Sequence, residues 1–419
     1  MNCRWRNVTF CFDFFLGHQF ASVVEIRENG FNPVMCWRRR FSYMRTGLNE
    51  EKRMLTYSIK IEGLKGVGSV ELNLQENQRV YTLIGANGVG KTKTLEALFQ
   101  VLLATNEAFA NSQTSWGIAL CFREIQHMPL PASLTANRIR DQLKAQFPSH
   151  HLPIVFLASQ NRGFIQHDNK PAQAIGTLEQ RRNAYFSRLV QGMNKNFTSL
   201  NMDTGIEEWF VTLAQSANPY QKQEDNRDIE IRVVLELLNK IDSRIDPKYM
   251  QISGDGRVNL KIDGQPRELS HLSTGFASIL KMLQAIVSGY GYFTNETRLQ
   301  QVKGIVLIDE IESHLHLSWQ AKIIPLLKQL FPNTTFYITT HSSIVLSQLK
   351  AGEAYRLQRD TDGVVRTQAI TSPNTTSLID VLQEAFDIDL NRLKLDSLIP
   401  ADQQQAKQQL LNLINGQGV

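Results

Sequence analysis

Short, uninterrupted apolar runs recur along this chain, and most of them end in glycine, carboxylate or hydroxyl residues. Residues 80–84 (VYTLI), 153–158 (PIVFLA), 304–308 (GIVLI) and 335–340 (TFYITT) have strand length and little alternation. That pattern predicts strands buried on both faces of a sheet. Residues 57–64 and 69–74 alternate instead and are joined through Lys65, Gly66, Val67 and Gly68. They predict two half-exposed strands ahead of the first buried one. Helical spacing of apolar residues predicts helices from Lys93 to about Leu103, over 179–191 and 229–241, from the 273–275 region to about Val287, and within 319–330. Residues 258–262 form a further short strand between two Asp-Gly turns, and two more strands flank Asp362 and Gly363. A helix over 378–386 then leads into a Gln-rich helical end. The alternation of strands and helices predicts an α/β fold with a mixed sheet and a long, mainly helical lid inserted between its halves.

The first buried run is followed by Gly85, Ala86, Asn87, Gly88, Val89, Gly90, Lys91 and Thr92, and then by a helix opening at Lys93. This is the spacing of a phosphate-binding loop. Backbone N–H groups must curl around phosphate oxygens, which requires glycine where a side chain would block the approach or where φ is positive. Lys91 is then placed for the β- and γ-phosphates, Thr92 for Mg²⁺, and the positive end of the helix for the anion.

Three later stretches carry complementary chemistry. Leu272, Ser273, Thr274, Gly275 and Phe276 open a helix, which on its own is an ordinary N-cap or an anion site. Asp309 and Glu310 end the 304–308 strand at the carboxyl edge, where α/β sheets bind ligands. Asp309 is expected to hold Mg²⁺ through its water shell, and Glu310 to orient or deprotonate the attacking water. His341 follows the last buried strand and is expected to contact a γ-phosphate and the water beside it. His314 and His316 invite a zinc reading, but without nearby cysteines or further carboxylates a loop contact between subunits is the better expectation. Tyr57 and Lys65 are candidate adenine neighbours, with a half-buried strand aromatic and a solvated lysine as the plainer alternatives.

Charge changes the picture little. Residues 1–53 hold nine Lys/Arg and five Asp/Glu, which accounts for most of the net charge of +5. The body is nearly neutral and gives no support to nucleic-acid binding, although a local patch stays open. Three of the four cysteines lie in the same segment, with no C-x-x-C pair in the chain. Neither a disulfide framework nor a zinc ribbon is indicated, a reducing cytoplasmic setting is expected, and no apolar run is long enough for a membrane span. Asp13 interrupts the Phe-rich run and argues against a signal peptide. Residues 1–53 are expected to be a poorly packed extension, with Met54 as the natural beginning.

The order of phosphate loop, LSTGF, IVLIDE and TTH resembles the ABC-type ATPase superfamily over residues 57–349. Within it, DEIESHLH at 309–316, Trp319 with Gln320, and Phe331, Pro332 and Asn333 resemble the AAA/ABC ATPases of bacterial DNA maintenance and phage defence. That group includes the ATPases of OLD-like, Septu-like and retron-associated systems. The resemblance implies an ATPase using ATP and Mg²⁺, with Lys91, Glu310 and His341 catalytic, Gly85 through Lys93 at the nucleotide, and Thr92 and Asp309 at the metal. It also implies a head-to-tail homodimer, or a higher oligomer, in which Ser273, Thr274 and Gly275 of one head complete the ATP site of the other. Gln160 becomes the candidate glutamine sensing Mg²⁺ and water, Arg162 a second polar contact, and residues 313–316 a loop across the interface.

Several departures weigh against a transporter subunit. Phe276 stands where transporters usually carry Gln, and the interval from Lys91 to Ser273 is long. Separately, His316 and Leu317 replace the His-Pro common in the group, a departure that bears on the geometry of that loop.

The leading expectation is a defence switch controlling a separate effector, a nuclease acting in trans, because the residues after His341 are too few for a fused Toprim nuclease. The alternative is a DNA-repair or chromosome-maintenance ATPase binding DNA across the paired heads, with salt-sensitive DNA binding as its signature. No membrane partner is expected. The expected boundaries are an extension (1–53), the first half of the head (54–110), the lid (111–266), the second half (267–350) and a tail (351–419).

Overall fold

A computed structural model describes residues 58–397, except 116, 127, 131–135, 166–173, 203–204, 223, 372 and 387, together with 405–411. The extension at 1–53, Met54 and Tyr57 lie outside the described residues.

The strands are β1 (Ser58–Leu64), β2 (Gly68–Asn73), β3 (Val80–Ile84), β4 (Glu124–Ile125), β5 (Met128–Pro129), β6 (Ile154–Leu157), β7 (Ile245–Ile252), β8 (Val258–Ile262), β9 (Gln265–Glu268), β10 (Gly304–Ile308), β11 (Thr334–Thr339), β12 (Ala354–Arg359) and β13 (Val365–Ala369). The longer helices are α1 (Lys91–Thr105), α2 (Ala136–Gln146), α3 (Leu178–Lys195), α4 (Ile206–Ser216), α5 (Asp228–Ile241), α6 (Thr274–Gly291), α7 (Ile323–Leu330), α8 (Leu378–Phe386) and α9 (Leu390–Ser397). Ten strands form one mixed sheet in the order β5-β4-β1-β2-β13-β12-β3-β11-β10-β6. The fold is mixed α/β, with substantial helical insertions.

The uninterrupted apolar runs became a parallel block at one end of the sheet, with β6 at its edge. β3 pairs with β11, β11 with β10, and β10 with β6, all parallel. Every residue of β3, β6 and β10 is buried. Each large apolar side chain so placed contributes about 1.5–3 kcal/mol. α1 is buried along most of its length. α6 lies close against β6: a Cβ on Gly289 would come within 2.5 Å of Val155 Cγ2.

Three features differ from the sequence pattern. β12 and β13, expected in a tail, lie in the middle of the sheet, where β12 pairs with β3 and β13 with β2. Their alternation suits a hairpin anywhere, and local pattern says nothing about which strands flank it. The helical insertion also carries its own antiparallel sheet, β7-β8-β9. In β7, Asp246, Pro247 and Lys248 hide the strand signal. The ladder shifts register between Ile245 and Met250, and an edge strand with such an irregularity tolerates proline. The helix expected within 319–330 divides into a turn at Leu317–Gln320 and α7, whose first turn carries Pro325.

Candidate functional site

The site forms at the carboxyl ends of β3, β10 and β11. Gly85 leaves β3 with φ +141°, and a Cβ there would lie 2.5 Å from the Leu357 carbonyl oxygen on β12. Gly90 has φ +108° and abuts Val67, which a Cβ would meet at 2.6 Å. Glycine is therefore required at both ends of the loop, by conformation and by space. Gly90 is also the N-cap of α1 and offers no side-chain cap, so the first N–H groups of the helix stay available to an anion.

Lys91 is 6% exposed and folds back over the loop, its Nζ donating to the carbonyls of Gly85 (2.9 Å) and Ala86 (3.0 Å). Burial lowers its pKa to about 8, against the opposing pull of Glu310, Asp309 and Glu312. A bound triphosphate would stabilise the ammonium, so binding between the free and bound pKa values takes up a proton. The dissociation constant for a fluorescent ATP analogue is therefore expected to rise about tenfold per pH unit above pH 8. A flat profile from pH 7 to 9.5 would contradict this placement of Lys91. Lys93, expected at the nucleotide, instead turns its Nζ onto the buried Glu96 carboxylate at 2.9 and 2.7 Å.

Asp309 is 3% exposed and its Oδ1 accepts from Thr92 Oγ1 (2.9 Å) and Thr339 Oγ1 (2.6 Å). Burial raises its pKa while both hydroxyls oppose the shift. A buried carboxylate against a phosphate-loop hydroxyl is an all-oxygen donor set that suits Mg²⁺ completed by phosphate and water. No group of three or more His, Cys, Asp or Glu that could hold a metal occurs among the described residues, so the zinc reading of His314 and His316 gains no cluster.

Glu310 has φ +44°, the left-handed region that a glutamate rarely adopts. Three contacts hold it there. Its N–H donates to Thr339 Oγ1 (2.8 Å), its carbonyl accepts from Arg162 Nη1 (3.0 Å), and its Oε2 accepts from Ser313 Oγ (3.0 Å). Strain maintained by surrounding structure is characteristic of functional positions.

Arg162 corrects the expectation of a second polar contact. It is fully buried, and its Nη2 donates to the carbonyls of Ala158 (2.6 Å), Asp309 (2.8 Å) and Leu157 (3.3 Å). The guanidinium therefore clamps the ends of β6 and β10 together, and burial lowers its pKa to about 10. Gln160, two residues earlier, is exposed, and its Oε1 accepts from Thr198 Oγ1 (2.8 Å). Asn161 ties the same turn to α6, its carbonyl accepting from Lys281 Nζ (2.8 Å).

Ser273 caps α6, its Oγ accepting from Phe276 N (3.3 Å). Ser273 and Thr274 are exposed, while Gly275 faces the turn after β10, where a Cβ would lie 3.4 Å from the His314 carbonyl oxygen. The α6 N-terminus and the 313–316 turn therefore form one surface. His341 is exposed beyond β11, and partial burial and the Lys91 charge lower its pKa, favouring the neutral imidazole.

Sequence reasoning missed Thr339, whose hydroxyl joins Asp309 to the Glu310 backbone, and the roles of Glu312 and Lys281. A pair of threonines ending an apolar strand was the available signal for the first. Lys281 on an apolar helix face carried none.

Phosphate loop, paired carboxylates and parallel core define the class, an ATPase of the AAA/ABC type. Residues 130–347 match the family described as "AAA domain, putative AbiEii toxin, Type IV TA system", and the chain belongs to that family. It is similar to the Septu protein PtuA of Bacillus thuringiensis, at 22% identity over 80% of this chain and 84% of that protein. It is similar to the "Retron Ec83 probable ATPase" of Escherichia coli, at 22% identity over 84% and 82%. It spans 45% of the Septu protein PtuA of Bacillus mycoides (strain KBAB4), at 24% identity. Among solved structures, an Smc head bound to the C-winged helix domain of ScpA aligns with TM-score 0.40 and 15% identity, over 75% of this chain and 97% of that one.

Proposed function

We propose that this chain is a Mg²⁺-dependent ATP-hydrolysing switch that pairs head to tail with a second copy and controls a separate effector, a nuclease, in cytoplasmic antiphage defence. The observation that carries the pairing is the division of the site. Thr92 bonds Asp309, and Asp309 and Glu310 act on the Lys91 charge, while Ser273 and Thr274 are exposed at the start of an 18-residue helix. The likeness to Septu and retron proteins supports the defence role.

In this reading the loop N–H groups and Lys91 hold the β- and γ-phosphates. Thr92 and Asp309 would hold Mg²⁺, which would supply positive charge against the phosphate oxygens. Glu310 takes the proton of the attacking water, and the neutral imidazole of His341 hydrogen-bonds the γ-phosphate. The exposed N-terminus of α6 on the second copy closes the pocket from the opposite side.

Purified with the product of its neighbouring gene, the chain is expected to form a complex whose nuclease output changes with ATP. Neither a complex nor an ATP-dependent change in cleavage would overturn the effector assignment.

A further inference from the structure

The loop after β10 carries a second glutamate that the mechanism has not used. Glu312 turns back across the sheet edge to the end of β11. Its Oε2 accepts from Thr340 Oγ1 and its Oε1 accepts from the His341 backbone N–H, each at 2.6 Å. Thr340 Oγ1 in turn accepts from Ser342 N (3.1 Å). Ser342 Oγ donates to Gln320 Oε1 (2.7 Å), and Gln320 Nε2 returns to the Leu315 carbonyl (2.8 Å). The Ile311 N–H bonds the Thr339 carbonyl at 3.1 Å. A closed ring of hydrogen bonds thus joins the turn that carries Glu310 to the segment that carries His341.

We propose that Glu312 is the positioning residue that fixes His341 relative to Glu310, so that base and phosphate contact move as one unit. The inference rests on the reading of His341 as a γ-phosphate contact. The His341 imidazole is exposed, and the hydrogen bonds described here hold the segment by its backbone and by Thr340. Its location is therefore inherited from Glu312. A carboxylate suits the task because both oxygens accept, and the two donors come from adjacent residues in a fixed order. Glutamine keeps one acceptor for the His341 N–H and can meet Thr340 only if that hydroxyl reverses its proton. Alanine keeps neither contact.

The test compares Glu312→Ala, Glu312→Gln, His341→Ala and the Glu312→Ala/His341→Ala double variant in steady-state ATPase and ATP-binding assays, with thermal melts alongside. Misplacing a reacting group by about 1 Å costs up to about 10²-fold. Glu312→Ala is accordingly expected to lower kcat about 10- to 100-fold with the ATP dissociation constant within about twofold of wild type. Glu312→Gln is expected to recover part of the loss. The double variant is expected to be no slower than His341→Ala, because residues acting as one unit are not additive. Losses that multiply in the double variant, or a lowered melting temperature with unchanged kcat, would overturn the proposal. A normal kcat in His341→Ala removes the underlying reading, whereas a slow His341→Ala beside a normal Glu312→Ala removes only this inference. Should Glu312→Ala not fold, Glu312→Gln and Thr340→Val carry the same comparison.

Discussion

Glu310→Gln is expected to lower ATP turnover about 10²- to 10³-fold, the contribution of a positioned general base, while ATP binding is retained. Glutamine matches the shape of glutamate, so the left-handed backbone can stay held by Thr339 and Arg162, and the Ser313 contact can persist. Lys91, Thr92 and Asp309 are untouched, so the proposed phosphate and Mg²⁺ contacts should survive. What is lost is the proton acceptor. ATP that binds and is not cut should hold two heads together, so light scattering should report an ATP-dependent dimer for this variant. Phosphate release at the wild-type rate would remove Glu310 from its role.

Much of this arrangement was legible because burial on both faces leaves a simple trace. VYTLI, IVFL and GIVLI could be read as buried parallel strands, and the residues just past their carboxyl ends as candidate ligand contacts. Glycine spacing located the phosphate loop because the backbone there must adopt conformations and approaches that other residues resist. What stayed hidden depends on long-range pairing or on where a long side chain turns. The β12–β13 hairpin reads the same in a tail as at the centre of a sheet. Arg162 could as well have faced a nucleotide as four carbonyls, and only the meeting of β6 and β10 turns it inward. Lys93 follows the loop as a phosphate contact would, yet a glutamate one helical turn later captures its ammonium. Glu312 stood in plain view within DEIE, but its partners lie 28 and 29 residues further along, on another strand end.

Mixing two inactive variants puts the division of the site to its most direct test. Lys91→Ala removes the cation from the phosphate loop and leaves the α6 surface whole. Ser273→Arg places a long side chain at an exposed helix cap, costing about 1 kcal/mol of capping while blocking approach to a neighbouring nucleotide. Each variant alone is expected to be nearly inactive. In an equimolar mixture about half of the pairs are mixed, and each mixed pair holds one intact site of two, so about a quarter of wild-type turnover should return. Phosphate release by the mixture is the decisive measurement: recovery towards that level is the predicted result, and turnover no greater than the mean of the two variants alone would contradict a site shared between copies.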